Sequence, residues 1–185
     1  ASFDDQAIPF FIDKRKTCSN YPLIRMLRSA LSAVAEGFSV ADIFSYLKTD
    51  LVPIDDYDID LLENYCIAFG ISSRDWQSDG DWDFDDKSAP CFDEDRINEV
   101  RKKVLAPLKK LRNNFYDSDD SVTPITANEF RQIILDFLRD INVFETIGTW
   151  IQEETEAGDY QAVDEHRQFA EKFDEVLDEF VEIFD

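Results

Sequence analysis

The 185 residues carry 41 acidic side chains against 19 basic ones, a formal net charge of −22, and 44% of them are hydrophobic, including 16 Phe, 6 Tyr and 3 Trp. So large an apolar and aromatic share excludes a disordered acidic tail, and no apolar run approaches the ~18 residues that span a bilayer. The charge balance argues against tight autonomous nucleic-acid binding, which rests on Lys and Arg neutralising phosphates.

The length suits one domain, or one domain with a satellite subdomain. Cys18, Cys66 and Cys91 make neither a disulfide framework nor a CxxC metal clip, which points to a reducing, cytoplasmic setting. No charged-then-apolar leader opens the chain, so neither secretion nor membrane insertion is expected.

The opening segment Ile8-Pro9-Phe10-Phe11-Ile12-Asp13 reads as a strand. Nothing later offers a second one, so the orphan strand and the missing initiator Met suggest a chain cut from something larger; a mere N-terminal extension is the alternative. From Asn20, a candidate cap followed by Pro22, the period becomes helical: Leu23, Met26, Leu27, Ala30, Leu31 and Val34 form a stripe ending at Gly37. Ser39 with Asp42 signs the start of a helix through Ile43, Phe44 and Leu47, which stops before Pro53. Ile59, Leu62, Tyr65, Cys66 and Phe69 make the next stripe, closed by Gly70.

Residues 71–95 break the period. Turn-forming residues mix with eight acids between Asp79 and Asp95 against one Lys, and Trp76, Trp82, Phe84 and Phe92 are spaced through them. Such aromatics pin a meandering loop onto a core; a surface-binding loop is the sharper alternative. Helical spacing resumes at Ile97, Val100, Val104, Leu108, Leu111 and Phe115, with Pro107 predicting a kink or break. After a polar linker from Asp117 to Pro124, Thr126 and Glu129 form a capping box opening a helix on Phe130, Ile133, Ile134, Phe137, Leu138 and Ile141. Phe144, Ile147, Trp150 and Ile151 mark a short helix ended by Gly158. In the last segment Val163, His166, Ala170, Phe173, Leu177, Phe180 and Phe184 step in a heptad-like seam, while residues 152–185 carry 13 acids and 2 bases. The fold class is all-α, with six to eight helices.

Motifs for chemistry are sparse. The chain has neither a GxxxxGK[ST] phosphate loop nor a GxGxxG fingerprint. The lone His166 sits on the seam, where a histidine reads as a satisfied interior residue rather than a base. Asp81, Asp83 and Asp85 match the start of a calcium loop, but Asp86 replaces the turn Gly and Phe92 the closing Glu. The frame from Asp56, Asp58 and Asp60 fails likewise at Leu61 and Ile67.

One feature runs against the global charge. Between Arg96 and Arg112 lie seven bases and a single acid, Glu99. Arg101, Lys102 and Lys109 are expected roughly on one side of a helix whose apolar stripe faces the core. The functional reading is contact with a phosphate backbone or an acidic partner. The alternative is intramolecular: a basic helix lying beside the acidic C-terminal helix and offsetting its repulsion.

Taken in order, several stretches resemble the AddB/RexB family. They are Ile8–Asp13; Asn20-Tyr21-Pro22-Leu23-Ile24 with Leu27-Arg28-Ser29-Ala30-Leu31; Phe44-Ser45-Tyr46-Leu47-Lys48-Thr49; Asp60-Leu61-Leu62-Glu63-Asn64-Tyr65; Phe69-Gly70-Ile71; Arg96-Ile97-Asn98; Arg101 through Leu108; Phe137 through Val143; Ala157-Gly158-Asp159; and Glu165-His166. The acidic stretch Asp79–Asp95 shows little likeness. The resemblance implies one of the two subunits of a bacterial ATP-dependent helicase–nuclease that processes double-strand breaks and serves recombination. It implies that this chain is a helical 2B-type accessory region, with residues 1–19 the strand and linker of the neighbouring motor domain and 20–185 the accessory domain. The parent family's ATP, Mg and iron–sulfur cluster would have no ligands here, and no catalytic or metal residue carries over. The implied partners are an AddA/RexA-like protein and DNA in the intact complex, with no membrane. Arg101, Lys102, Lys103, Lys109, Lys110 and Arg112 are the candidate contacts. A free-standing acidic adaptor that binds a basic protein through its C-terminal helix is the competing function.

Overall fold

The computed structural model describes residues 21–84 and 92–184. Within them the helical periodicities become eight α-helices, with no strand and a lone antiparallel bridge between Tyr116 and Val122. The strand expected at Ile8–Asp13, the cap expected at Asn20 and the acids Asp85 and Asp86 lie outside the described residues.

Helix α1 (Pro22–Ala35) begins on Pro22 with Tyr21 at the cap position, and α2 (Val40–Leu47) packs back against it. The corner between them is tight. Gly37 takes φ +72°, and the Gln77 amide donates to its carbonyl at 2.8 Å. A Cβ at Gly37 would stand 2.6 Å from that amide nitrogen, so any other residue would strain the left-handed backbone and displace the Gln77 amide from its hydrogen bond. Ser39 caps α2 by accepting from the Asp42 N–H at 3.2 Å.

Helix α3 (Asp56–Phe69) stops where Gly70 turns left-handed at φ 62°. Two residues on, Ser72 and Asp75 close a capping box around the five-residue α4 (Ser73–Gln77), an element missed inside the stretch read as a loop. α5 (Glu94–Arg112) then runs without a break through Pro107. The proline removes one hydrogen bond, but Val104, Leu105, Leu108 and Leu111 on either side of it are buried, and that packing holds the helix together. The polar linker beyond it is a tight reversal: Asp117 N–H donates to Ser121 O at 3.0 Å and Thr123 N–H to Phe115 O at 2.8 Å.

The capping box of Thr126 and Glu129 opens α6 (Ala127–Asp140). Asn142, left-handed at φ 55°, turns the chain into α7 (Val143–Ala157), and Gly158 ends it before α8 (Tyr160–Phe184). α1 packs on α2 and α5, and α3 and α6 pack on α5; the α7–α8 hairpin attaches through α6. Met26, Ile43, Leu47, Leu62, Trp76, Ile97, Leu108 and Leu138 fill the core.

The seam of α8 corrects the sequence expectation. Phe169, not Ala170, is buried, and Ala170 faces solvent. Phe169 stacks on Tyr21 with ring centroids 3.6 Å apart, and a buried phenyl ring gains far more than the single methyl of alanine. His166 packs inside this junction as its seam position suggests. Its Nδ1 lies 2.5 Å from the Tyr21 hydroxyl and its Nε2 lies 3.1 Å from Glu154 Oε1. With the ring proton on Nε2, the imidazole donates to the carboxylate and accepts from the phenol, satisfying both nitrogens. Phe184, expected on the seam, is 67% exposed.

The aromatics in the described part of residues 71–95 do pin it to the core. Trp76 and Trp82 are buried, and Trp82 stacks parallel to Tyr65 at 5.8 Å. Asn98 of α5 holds the Trp82 backbone from both sides: its Oδ1 accepts from the Trp82 N–H at 2.7 Å and its Nδ2 donates to the Trp82 carbonyl at 2.9 Å. Arg101, one turn along, completes the attachment. Its guanidinium lies over the Trp82 ring at 4.5 Å and donates to the carbonyls of Gly80 (2.7 Å), Asp75 (3.1 Å) and Ser78.

Two outcomes follow from this packing. Arg101→Met keeps the aliphatic stem but strips three carbonyls of their charged donor, so the unfolding free energy in urea should fall by ~1.5–3 kcal/mol or more, with a red shift of Trp82 emission. Arg101→Lys should recover little, because an ammonium lacks the planar fork. Burial, aided by the Glu63 carboxylate, pushes the Cys66 thiol up to about 12. In a Cys18→Ser/Cys91→Ser background Cys66 should therefore resist alkylation at pH 8 until denaturant is added; rapid native labelling would contradict its placement.

Candidate nucleic-acid interface on the basic helix

The apolar residues of α5 divide its bases into an interior one and an exterior set. Ile97, Val100, Val104, Leu105, Leu108 and Leu111 face the core, and Arg101 is buried among them at 2% exposure. This corrects its expected place on the outer side with Lys102 and Lys109. Burial pulls the Arg101 pKa down while Asp81, Asp79 and Asp75 act the other way, and a guanidinium remains charged throughout. Its two terminal nitrogens are committed to the carbonyls of the 75–80 segment and its Nε is buried, so it reaches no external phosphate.

The four lysines stand outside in two rows. Lys102 and Lys109 are seven residues apart, about 10.5 Å along one flank; Lys103 and Lys110 repeat the spacing on the other. Between the rows run the exposed Glu99 and Ala106. Arg112 stays near the surface at 22% side-chain exposure, its guanidinium 4.4 Å from the Tyr116 ring and 2.8 Å from Asp120 Oδ1. The helix thus presents a ridge of Lys102, Lys103, Lys109 and Lys110, with Arg112 at its end.

Each of these bases meets an acid. Lys102 pairs with Asp81 at 2.7 Å, Lys109 with Asp79 at 2.8 Å, Lys103 with Glu99 at 2.7 Å, and Lys110 with Asp140 at 2.6 Å. At the start of the helix Arg96 pairs with Asp58 of α3 at 2.6 Å, a contact that raises the Arg96 pKa. The intramolecular alternative expected these acids from the C-terminal helix. They come instead from α3, the 79–81 segment, α5 itself, α6 and the 117–121 turn, because α8 packs on α6 and α7. There Arg131 of α6 reaches both Asp174 (3.3 Å) and Asp178 (3.1 Å) of α8.

Two grooves flank Lys110. One of about 670 Å³ runs between α5 and α6, with Pro107, Asn114, Gln132 and Asp136 in its walls. The other, about 430 Å³, lies between Lys103, Ala106 and the Val52–Ile54 turn. Both are open clefts; the first mixes polar and apolar walls and the second is mainly apolar, with Val52, Pro53, Ile54, Ala106 and Ile141 in its walls.

Among the described residues, no three His, Cys, Asp or Glu side chains converge on a common point that a metal ion could occupy. Cys66 lies buried in the α3 stripe with its thiol held protonated, and does not fit an iron–sulfur ligand; Cys18 and Cys91 lie outside the described residues. His166 is committed to Tyr21 and Glu154. No described helix is long and apolar enough to cross a membrane. The surface that sequence reasoning missed is the 79–81 segment set against the lysines. Its signal was present, since the acidic run 79–95 and the basic run 96–112 lie beside each other in the chain.

No protein-family model matches this chain. Curated relatives do. Over 187 residues, 97% of the chain is 34% identical to the B subunit of an ATP-dependent helicase/deoxyribonuclease from Moorella thermoacetica, of which it spans 16%. The same protein of Desulforudis audaxviator is likewise 34% identical over 192 residues, again 97% of the chain and 16% of the relative. Its counterpart in Clostridium botulinum is 32% identical over 95% of the chain and 15% of its own length. The chain thus spans about one-sixth of the length of these relatives, in agreement with the ordered resemblance of its motifs. By sequence it belongs to the AddB/RexB family of ATP-dependent helicase/deoxyribonuclease subunits, as a segment of such a protein.

Proposed function

We propose that this segment is a noncatalytic accessory unit of its helicase/deoxyribonuclease subunit. It braces the motor-like body and meets the DNA backbone, or the AddA/RexA-like partner in the complex, along the outer ridge of α5. The observation that carries this is the double row of Lys102, Lys103, Lys109 and Lys110, exposed on one rigid helix of an otherwise acidic protein. Lysine ammoniums on flexible stems contact phosphates as point charges and read no base edges, so the contact would be positional and sequence-independent. Arg112 flanks that surface, while Arg101 supports it from inside. Under this reading the segment serves double-strand break repair and homologous recombination in the cytoplasm. The ATP, magnesium and iron–sulfur chemistry of the intact protein lies elsewhere along its length.

A second reading rests on the far end of α8. Val176, Ile183 and Phe184 are 49%, 72% and 67% exposed, beside Glu175, Glu179 and Glu182. An apolar strip edged by carboxylates suits a basic amphipathic partner, as an acidic adaptor would need.

Reversing Lys102, Lys103, Lys109 and Lys110 to Glu in the intact helicase–nuclease should weaken DNA binding. It should also flatten the dependence of log K on log salt by about 0.9 for each phosphate no longer neutralised. An unchanged slope would remove DNA from the α5 ridge, and failure to co-purify with the AddA/RexA-like partner would then assign it to protein docking.

A further inference from the structure

We propose that the segment Ser78–Trp82 is a built-in occupant of a polyanion site on α5, with the carboxylates of Asp79 and Asp81 seated on Lys109 and Lys102 where phosphate oxygens would sit. The inference rests on the reading of α5 as a phosphate-contacting helix and concerns how that helix is regulated.

The segment is delivered to the helix in fixed register. Gly80, between the two acids, has its carbonyl held by Arg101 at 2.7 Å, and Trp82 is clamped by Asn98. With the backbone held at 80 and 82, Asp79 and Asp81 meet lysines two helical turns apart. The Lys109 ammonium in turn keeps the Asp79 carboxyl below its usual range. The other row differs: Lys103 is met from its own helix by Glu99 and Lys110 by Asp140 of α6, so no part of the segment covers it.

The seating is displaceable. The Asp79 side chain is 94% exposed and that of Asp81 60%, so both pairs form in water, where such contacts are weak and screened by salt. A polyanion arriving at this flank must displace two carboxylates and then tolerate their repulsion. The Lys102/Lys109 row is therefore closed to weakly held nucleic acid. It opens to a strand that the rest of the enzyme already holds in place, where local concentration is high.

The test is fluorescence anisotropy of the intact helicase–nuclease with labelled forked duplex DNA at about 50 and 200 mM salt. Asp79→Asn/Asp81→Asn should tighten binding about tenfold at the lower salt and steepen the salt dependence. Adding Lys102→Gln/Lys109→Gln should cancel the gain. Glu175→Gln/Glu179→Gln on α8, which changes net charge equally, should give none. Unchanged resistance to limited proteolysis within residues 78–82 certifies that the segment stays attached. A gain that survives removal of the Lys102 and Lys109 charges, or that the α8 variant reproduces, overturns the proposal as a mere net-charge effect. If Asp79→Asn/Asp81→Asn gains nothing while Lys103→Glu/Lys110→Glu still weakens binding, the occupancy fails and the DNA-contacting helix stands. An affinity and salt slope that no variant changes reject both.

Discussion

A guanidinium that is 2% exposed needs partners close at hand, and Arg101 finds them in the carbonyls of Asp75, Ser78 and Gly80 and the face of Trp82. That requirement organises the middle of the protein. It caps the end of α4, fixes the path of the chain after it, and seats Trp82 against Tyr65 and Trp76. The last carbonyls of a short helix favour a cation, so the charge lies where the local dipole wants it. Asn98 adds the neutral half of the same joint by bonding both backbone groups of Trp82. Without these two polar side chains, the stretch between α4 and α5 would present buried carbonyls and an indole to nothing in particular.

The same joint reconciles the two charge anomalies of the chain. An excess of 22 negative charges would repel itself if spread evenly. The fold brings bases of α5 against acids of its neighbours, and α6 contributes Arg131 to the acidic face of α8. Each such pair is exposed on at least one side and weak on its own. Their value is distributional: they lower repulsion where elements must touch and leave the unpaired excess on outer faces.

Much of this architecture is legible because it is written in local chemistry. Ser39 with Asp42, Thr126 with Glu129, and the glycines at 70 and 158 place helix ends through hydrogen bonds or backbone angles that involve only near neighbours. The apolar stripes of α1 to α6 name most of the core for the same reason, whereas Phe144 of the α7 stripe and Ala170 and Phe184 of the α8 seam face solvent. What the sequence conceals is long-range. Arg101 lies four residues after Ile97 and four before Leu105, on the buried stripe itself, but its partners are 21 to 26 residues away. Phe169 escaped a heptad reading because its partner, Tyr21, is nearly the whole chain away. α4 hid among turn-forming residues since five residues give no period to detect. Of the six candidate contact residues, the four lysines emerge in the helical order their spacing implies, Arg112 is half-buried beside Tyr116, and Arg101 is the structural anchor.

The α7–α8 hairpin differs from the rest of the molecule in how it is held. α7 fully buries only Val143, and the hairpin joins the body through α6 and through the cluster of Tyr21, His166 and Phe169. α7 thus adds little to the core, and the hairpin is anchored to it mainly by Phe169 of α8. The stacked Tyr21–Phe169 pair gives the acidic hairpin a second attachment to the body, at the start of α1 and apart from its packing on α6.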